Sequence, residues 1–141
     1  MNPEHVPQTK HQRQLVWFLR ILGVLDMLAV GAVFLPCELM NWIHQQIGLG
    51  PMPADPLTGY LARSASMLYA FLGVLVFVMS FDVERYRPLL IVVGRIILLC
   101  SVLLFGIGVA ESLPAWWLCL EGPSVLVLGG LMLWLLRRSR P

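Results

Sequence analysis

Four long runs of apolar residues alternate with short polar segments along this chain. The runs cover residues 15–35, 60–81, 89–110 and 115–136, and each contains few charged residues. A helix of about 20 apolar residues is long enough to cross the roughly 30 Å hydrocarbon core of a bilayer. The pattern therefore predicts an all-α integral membrane protein, folded as a four-helix bundle.

The last run contains a proline that affects the number of membrane-spanning helices predicted. Pro123 lies inside residues 115–136, and a helix that began only after it would be about 20 Å long, too short to cross. We therefore expect one kinked helix over the whole run. Because proline has no N–H, the carbonyl of Cys119 loses its usual partner, which predicts that this carbonyl meets water, a serine or a ligand.

The longest connection, residues 36–58, contains an amphipathic stretch. Its apolar residues recur at helical spacing opposite polar ones, at Leu39, Trp42, Ile43 and Ile47. A helix of about three turns with one such face is typical of the membrane interface. We therefore expect an interfacial helix between the first and second spans.

Two short tails flank the membrane domain, which we place at residues 15–136. Residues 1–14 are polar, with two prolines, and predict a short disordered or surface-lying tail, whereas residues 137–141 are basic. The first apolar run is longer than the roughly 7–15 residues of a signal-peptide core, and it contains two charged residues. We therefore expect residues 15–35 to be retained as a helix.

The composition and the distribution of charge agree with a membrane protein. Hydrophobic residues make up 58% of the chain and charged residues 13%, about half the charged content of soluble domains. The net charge of +2 gives no reason to expect a nucleic-acid partner. Eight of the ten basic residues would lie on one side of the bilayer: Lys10, Arg13, Arg20, Arg85, Arg87, Arg137, Arg138 and Arg140. The positive-inside rule then predicts that both termini are cytoplasmic.

Charged residues within the apolar runs are the candidate functional residues, since each costs at least a few kcal/mol in lipid unless it is paired or hydrated. Arg63 and Glu121 lie about 5 and 9 Å below the outer ends of their spans. We expect them to form an outer cluster, which is the better candidate for a ligand site. Its candidate residues are Arg63, Glu121, Glu111, Cys119 and Trp117.

A second polar pair is expected nearer the inner side. Asp26 lies about 16 Å up the first span and Arg95 about 10 Å up the third, so the arginine side chain can reach the carboxylate. An alternative reading applies to this pair and to Arg63 with Glu121. Buried pairs of this kind can serve only to fix the register and order of helices.

Small residues at helical spacing predict where helices touch, because close approach of backbones drives helix association in lipid. The stripes are Gly23 and Gly31; Ala62, Ser66, Ala70 and Gly73; Gly94, Ser101 and Gly108; and Gly122 and Gly129. A homodimer surface is the alternative use of such a stripe.

Several kinds of chemistry find no support in the residues. The histidines lie outside the apolar runs, which argues against a bis-histidine haem, and no metal motif or nucleophile–base set is present. We expect no cofactor and no metal, and the balance is against an enzyme. The three cysteines form no CxxC motif, so we expect free thiols, with a Cys37–Cys119 disulfide as the alternative.

The segment GYLARSASMLYAFLGVLVFVMSFDVERYR, residues 59–87, together with the later AWW and EGP and a first span ending in Phe-Leu-Pro, resembles small uncharacterised bacterial proteins. These are distantly DoxX-like. The resemblance implies a four-helix bundle of the bacterial inner membrane over residues 15–136. It carries no activity with it.

Three functions follow as hypotheses. The first is a non-enzymatic accessory or scaffold subunit that acts through helix contacts with other membrane subunits. The second is a binder or carrier of a lipid- or quinone-like ligand at Arg63 and Glu121. The third is a small proton-coupled transporter that uses Asp26, although the uneven charge distribution is unlike that of dual-topology exporters.

Overall fold

The regular structure of the chain is α-helical wherever the structure describes it. The computed structural model describes residues 10–139. Residues 1–9 of the predicted N-terminal tail and residues 140–141 of the basic tail lie outside the described residues. The helices are α1 (Lys10–Leu28), α2 (Val30–Val33), α3 (Cys37–Gln46), α4 (Pro56–Met79), α5 (Val83–Ala110) and α6 (Ala115–Arg138). Helix α1 therefore begins inside the segment predicted as a polar tail.

Four segments of the described chain are long and apolar enough to cross a membrane. They are Lys10–Phe34, Pro56–Met79, Val83–Ala110 and Ala115–Arg138. At most 22% of the most apolar window of any segment is buried. Apolar surface on this scale is unfavourable in water and favourable in lipid. These four helical segments overlap the four predicted runs, α6 runs through Pro123 as one helix, and the architecture is that of a multi-pass membrane protein. The exact bounds of the spans stay a prediction.

The predicted amphipathic helix forms as α3. Its apolar residues Leu39, Trp42 and Ile43 are exposed. Beyond the helix, Gly48 and Gly50 both adopt a φ of 79°, a left-handed conformation that glycine adopts without a steric penalty. These two glycines turn the chain back toward α4. The location of α3 in the membrane interface stays a prediction.

The first span changes its winding after Asp26. Helix α1 ends at Leu28 and α2 begins at Val30. Around this junction, backbone N–H groups donate to carbonyls three residues earlier, as in Ala29 to Asp26 and Phe34 to Gly31. Such bonds are typical of a tighter 3₁₀ helix.

The chain forms two compact units. One unit contains Leu19–Val78, with most of α1, all of α2 and α3, and nearly all of α4. We call it the α4 unit. The other contains the described residues up to Phe18 and those from Met79 to Ser139, and we call it the α5–α6 unit.

In the α4 unit, α1 and α4 meet at two glycines. A Cβ atom added to Gly73 would lie 2.6 Å from the Gly23 carbonyl oxygen and 2.7 Å from the Met27 nitrogen. The backbones therefore touch, as the small-residue stripes predicted. Gly31 is an exception, because a Cβ placed there meets nothing within 4 Å.

The α5–α6 unit uses the same kind of packing. A Cβ on Gly94 would lie 2.8 Å from Leu133, and one on Gly129 would lie 2.9 Å from Ile97. The buried Ser101 hydroxyl donates to the Gly122 carbonyl at 3.0 Å. These contacts confirm the stripes on α5 and α6. Because the Ser101 hydroxyl donates to the Gly122 carbonyl, it is not shown to be the expected partner of the Cys119 carbonyl. That partner stays a prediction.

An arginine joins the two ends of this helical hairpin. Arg87, in the second turn of α5, donates to the carbonyls of Leu136 (2.7 Å) and Ser139 (3.0 Å) at the end of α6. The same guanidinium contacts the Glu84 carboxylate at 2.6 Å. The last carbonyls of a helix have no intrahelical partner, so Arg87 satisfies groups that would otherwise need water.

We predict that Gly73→Ala destabilises the protein by about 1–3 kcal/mol, the usual cost of overpacking a tight contact, because the new methyl group meets rigid backbone atoms. Thermal unfolding in detergent, followed by circular dichroism, measures the effect. Gly130→Ala is the matched control, since a Cβ at that position meets nothing within 4 Å. Equal melting temperatures for the two variants would contradict the prediction.

Candidate functional site

Arg63 is held by backbone oxygens at the end of the first span. Its Nε donates to the Val33 carbonyl at 3.2 Å and its Nη2 to the Leu35 carbonyl at 3.0 Å. Nη2 also lies 3.4 Å from the Cys37 sulfur, and Nη1 lies 3.5 Å from the Gly59 carbonyl. The half-buried guanidinium thus fixes the segment between α2 and α3 against α4.

Helix α4 begins where it does because Asp55 caps it. The Asp55 carboxylate accepts from the Thr58 backbone N–H at 2.9 Å and from the Thr58 hydroxyl, and Pro56 occupies the first helical position. Both are standard features of a helix N-terminus. The hydrogen bonds from Thr58 lower the pKa of the Asp55 carboxyl. Asp55 is therefore ionised at neutral pH.

The loop between α3 and α4 is fastened to α3 by two side chains. The Asn41 Oδ1 accepts from the Met52 backbone N–H at 2.9 Å and from the Gln45 amide at 3.2 Å. The His44 ring Nδ1 donates to the Gly50 carbonyl at 2.7 Å. These bonds hold the loop in one position beside the start of α4.

The start of α3, the loop after it and the start of α4 line a partly open cavity of about 560 Å³ in the α4 unit. Its apolar lining includes Met52 and neighbouring prolines. Its polar lining is Cys37, Glu38, Asn41, Asp55 and Arg63. The cavity therefore offers two carboxylates and one guanidinium beside the first turns of an apolar helix.

Glu38 is the group in this lining that is most available to a ligand. It lies in the first turn of α3, it is exposed, and its carboxylate makes no hydrogen bond with any residue in 10–139. Sequence reasoning selected Arg63 but missed Glu38 and Asp55. The Asp-Pro-Leu-Thr capping motif could have located the start of α4, and hence placed Asp55 two turns before Arg63.

The other predicted members of the outer cluster belong to the α5–α6 unit. Glu121 is half-buried and accepts from the Trp117 indole N–H at 2.6 Å, so two of the predicted residues do meet, one helical turn apart. Glu111 ends α5 and is exposed, as is Cys119. The joining of these residues with Arg63 stays a prediction.

The predicted inner pair also has one residue in each unit. Asp26 is half-buried on α1, and Arg95 is exposed in the middle of α5. Neither side chain has a hydrogen bond or an ion pair with a described residue of its own unit. Their pairing with each other stays a prediction.

Thiol and metal chemistry are constrained by the described part of the chain. Cys37, Cys100 and Cys119 are all free and exposed. Cys37 belongs to the α4 unit and Cys119 to the α5–α6 unit, and a disulfide between them stays the alternative prediction. Within residues 10–139, no group of three or more His, Cys, Asp or Glu residues is placed to hold a metal ion.

Comparison with known proteins adds no family assignment. No protein family, curated protein or solved structure matches the chain.

We predict that Arg63→Lys weakens the α4 unit. A lysine keeps the charge, but its single nitrogen cannot replace a planar guanidinium that donates to two carbonyls. The loss of two hydrogen bonds should cost about 2 kcal/mol, measured as a lower melting temperature. Cys37 should also react faster with a maleimide.

Arg85→Lys is the control for this substitution, because the Arg85 guanidinium donates no hydrogen bond to any described residue. If both variants melt together and label Cys37 at the same rate, Arg63 does not hold this segment.

Proposed function

We propose that this protein binds the polar headgroup of a lipid-like ligand in the cavity beside Arg63. The observation that carries the proposal is the cavity itself, which has charged walls and adjoins the first turns of an apolar, membrane-length helix. A ligand with its head in the cavity could lay its apolar part along the exposed face of α4, where Leu57, Tyr60 and Leu61 are more than half exposed.

The charges of the lining favour a headgroup that has both signs of charge. The free Glu38 and the ionised Asp55 suit an ammonium group, and the Arg63 N–H groups not used by carbonyls suit a phosphate oxygen. A neutral quinone would leave the negative charges of Glu38 and Asp55 uncompensated. A zwitterionic aminophospholipid therefore fits the cavity better than a quinone.

We also propose that the four spans form one bundle in a bacterial inner membrane, with both termini cytoplasmic. The uneven distribution of basic residues supports this orientation. It would place α3 and the cavity on the outer side, at headgroup level. The DoxX-like resemblance supports the same fold and implies no activity.

A scaffold or accessory role is the second candidate. It is favoured by long apolar faces that no described residue covers, such as Val102 at 63% and Leu120 at 67% exposure. Such faces can contact either lipid or the helices of another membrane subunit.

The test of lipid binding uses Glu38→Gln, which removes one charge without breaking any hydrogen bond in the described residues. We expect wild-type protein from nanodiscs containing equal phosphatidylethanolamine and phosphatidylglycerol to retain the former preferentially in native mass spectrometry. The variant should lose about fivefold of this preference, corresponding to about 1 kcal/mol for an exposed charge pair.

Glu111→Gln removes an exposed carboxylate that does not line the cavity, so it should retain the wild-type preference. Equal retention of the two lipids by wild type, or an unchanged preference in Glu38→Gln, would rule out this headgroup. Stoichiometric co-purification of another membrane protein would instead support the scaffold role.

A further inference from the structure

We infer that two copies of this chain associate in the membrane by pairing Asp26 of each copy with Arg95 of the other. The inference does not depend on the proposed lipid site. It rests on two charged residues at membrane depth that have no partner among the described residues of their own units, and on an open face of α5.

Asp26 has the greater need of a partner. It lies about 16 Å beyond Leu15, where the first apolar run begins, and a carboxylate on so short a side chain cannot reach the headgroups. Its backbone is pinned beside α4, because a Cβ on Gly73 would lie 2.8 Å from the Asp26 Cβ. A charge held at this depth costs about 2.5–3.5 kcal/mol on insertion scales unless it is paired.

Arg95 supplies the complementary charge. It lies about 9 Å beyond Leu89, where the third apolar run begins, and it is exposed. Its side chain could extend to the nearer membrane surface, but Asp26 would then stay uncompensated. An ion pair between Asp26 and Arg95 compensates both charges.

The face of α5 that includes Arg95 is suited to a second helix. Leu99 and Val102 follow at helical spacing and are 60% and 63% exposed. Gly106 completes the face, and a Cβ there meets nothing within 4 Å. An uncovered face with a glycine lets another helix approach closely.

A second copy is the occupant to which these charges point, because the chain itself supplies a carboxylate at a matching depth. If all four spans cross the bilayer, the first and third cross in the same direction. A two-fold axis along the membrane normal preserves depth, so the offset of about 7 Å between Asp26 and Arg95 falls within an arginine side chain. The symmetry forms the pair twice.

Charge reversal in separate copies tests this pairing. In Arg95→Glu, both pairs of a homodimer become carboxylate with carboxylate, and in Asp26→Arg both become guanidinium with guanidinium. When the two variants are mixed, each pair between copies again joins opposite charges, whereas each copy by itself has like charges.

We expect differently tagged wild-type copies to co-purify in mild detergent, and each variant to lose self-association at least about tenfold, or 1.4 kcal/mol. The mixed variants, co-expressed, should recover association near the wild-type level. Arg85→Glu, a charge reversal in the first turn of α5, should associate like wild type.

Three results would overturn the inference: wild type that does not self-associate, single variants that self-associate like wild type, or mixed variants that fail to recover. Pairing within one chain predicts the last result, a failure of the mixed variants to recover.

A second variant guards against misfolding of the charge reversals. Val102→Trp enlarges the open face without altering charge and should weaken self-association, whereas Leu120→Trp on α6 should not, and equal association of these two would also overturn it.

Discussion

Carbonyl groups at the ends of helices limit how this chain can fold, because a membrane offers them little water. Two arginines meet the need in the same way. Arg63, near the start of α4, donates to the carbonyls of Val33 and Leu35, and Arg87, near the start of α5, donates to those of Leu136 and Ser139. A guanidinium suits this task because its five N–H groups point in fixed directions and can serve several acceptors. Each arginine therefore fastens the end of one helix to the beginning of another, and Arg63 also lines the cavity of the α4 unit.

Close contacts at glycine residues are the second interaction that holds the helices together. Burial of apolar side chains gains little when the solvent is itself apolar, so helices in lipid associate mainly through close packing and polar contacts. The Gly23–Gly73 contact in one unit and the Gly94 and Gly129 contacts in the other let backbones approach without intervening side chains. The Ser101 hydroxyl adds a hydrogen bond to the Gly122 carbonyl at such an approach. The sites of helix contact are thus small and specific, and the remaining apolar surface faces outward.

The spans and most helix contacts could be predicted from the sequence, since run length and the spacing of small residues are local properties. Gly31 shows the limit, because its spacing fits a stripe but no atom lies near it. The cavity was harder to foresee. Arg63 donates to backbone carbonyls. Because every residue has a carbonyl, no residue type or spacing in the sequence predicts which ones accept these bonds. Glu38 and Asp55 enter the lining only because the loop after α3 is folded back by Asn41 and His44. The Trp117–Glu121 bond was within reach of sequence reasoning, since residues four apart share a helix face.

The change from α-helical to 3₁₀ hydrogen bonding after Asp26 fixes how many residues can separate Asp26 from Val33 and Leu35. The carbonyls of these two residues accept from Arg63. Each residue turns a helix by about 100° in the α form and about 120° in the 3₁₀ form. One inserted or deleted residue would therefore swing the Val33 and Leu35 carbonyls a third of the way around the axis and away from the guanidinium. Related chains should vary freely in the exposed loop after α3 yet keep a fixed number of residues between Asp26 and Leu35, whatever side chains they place there.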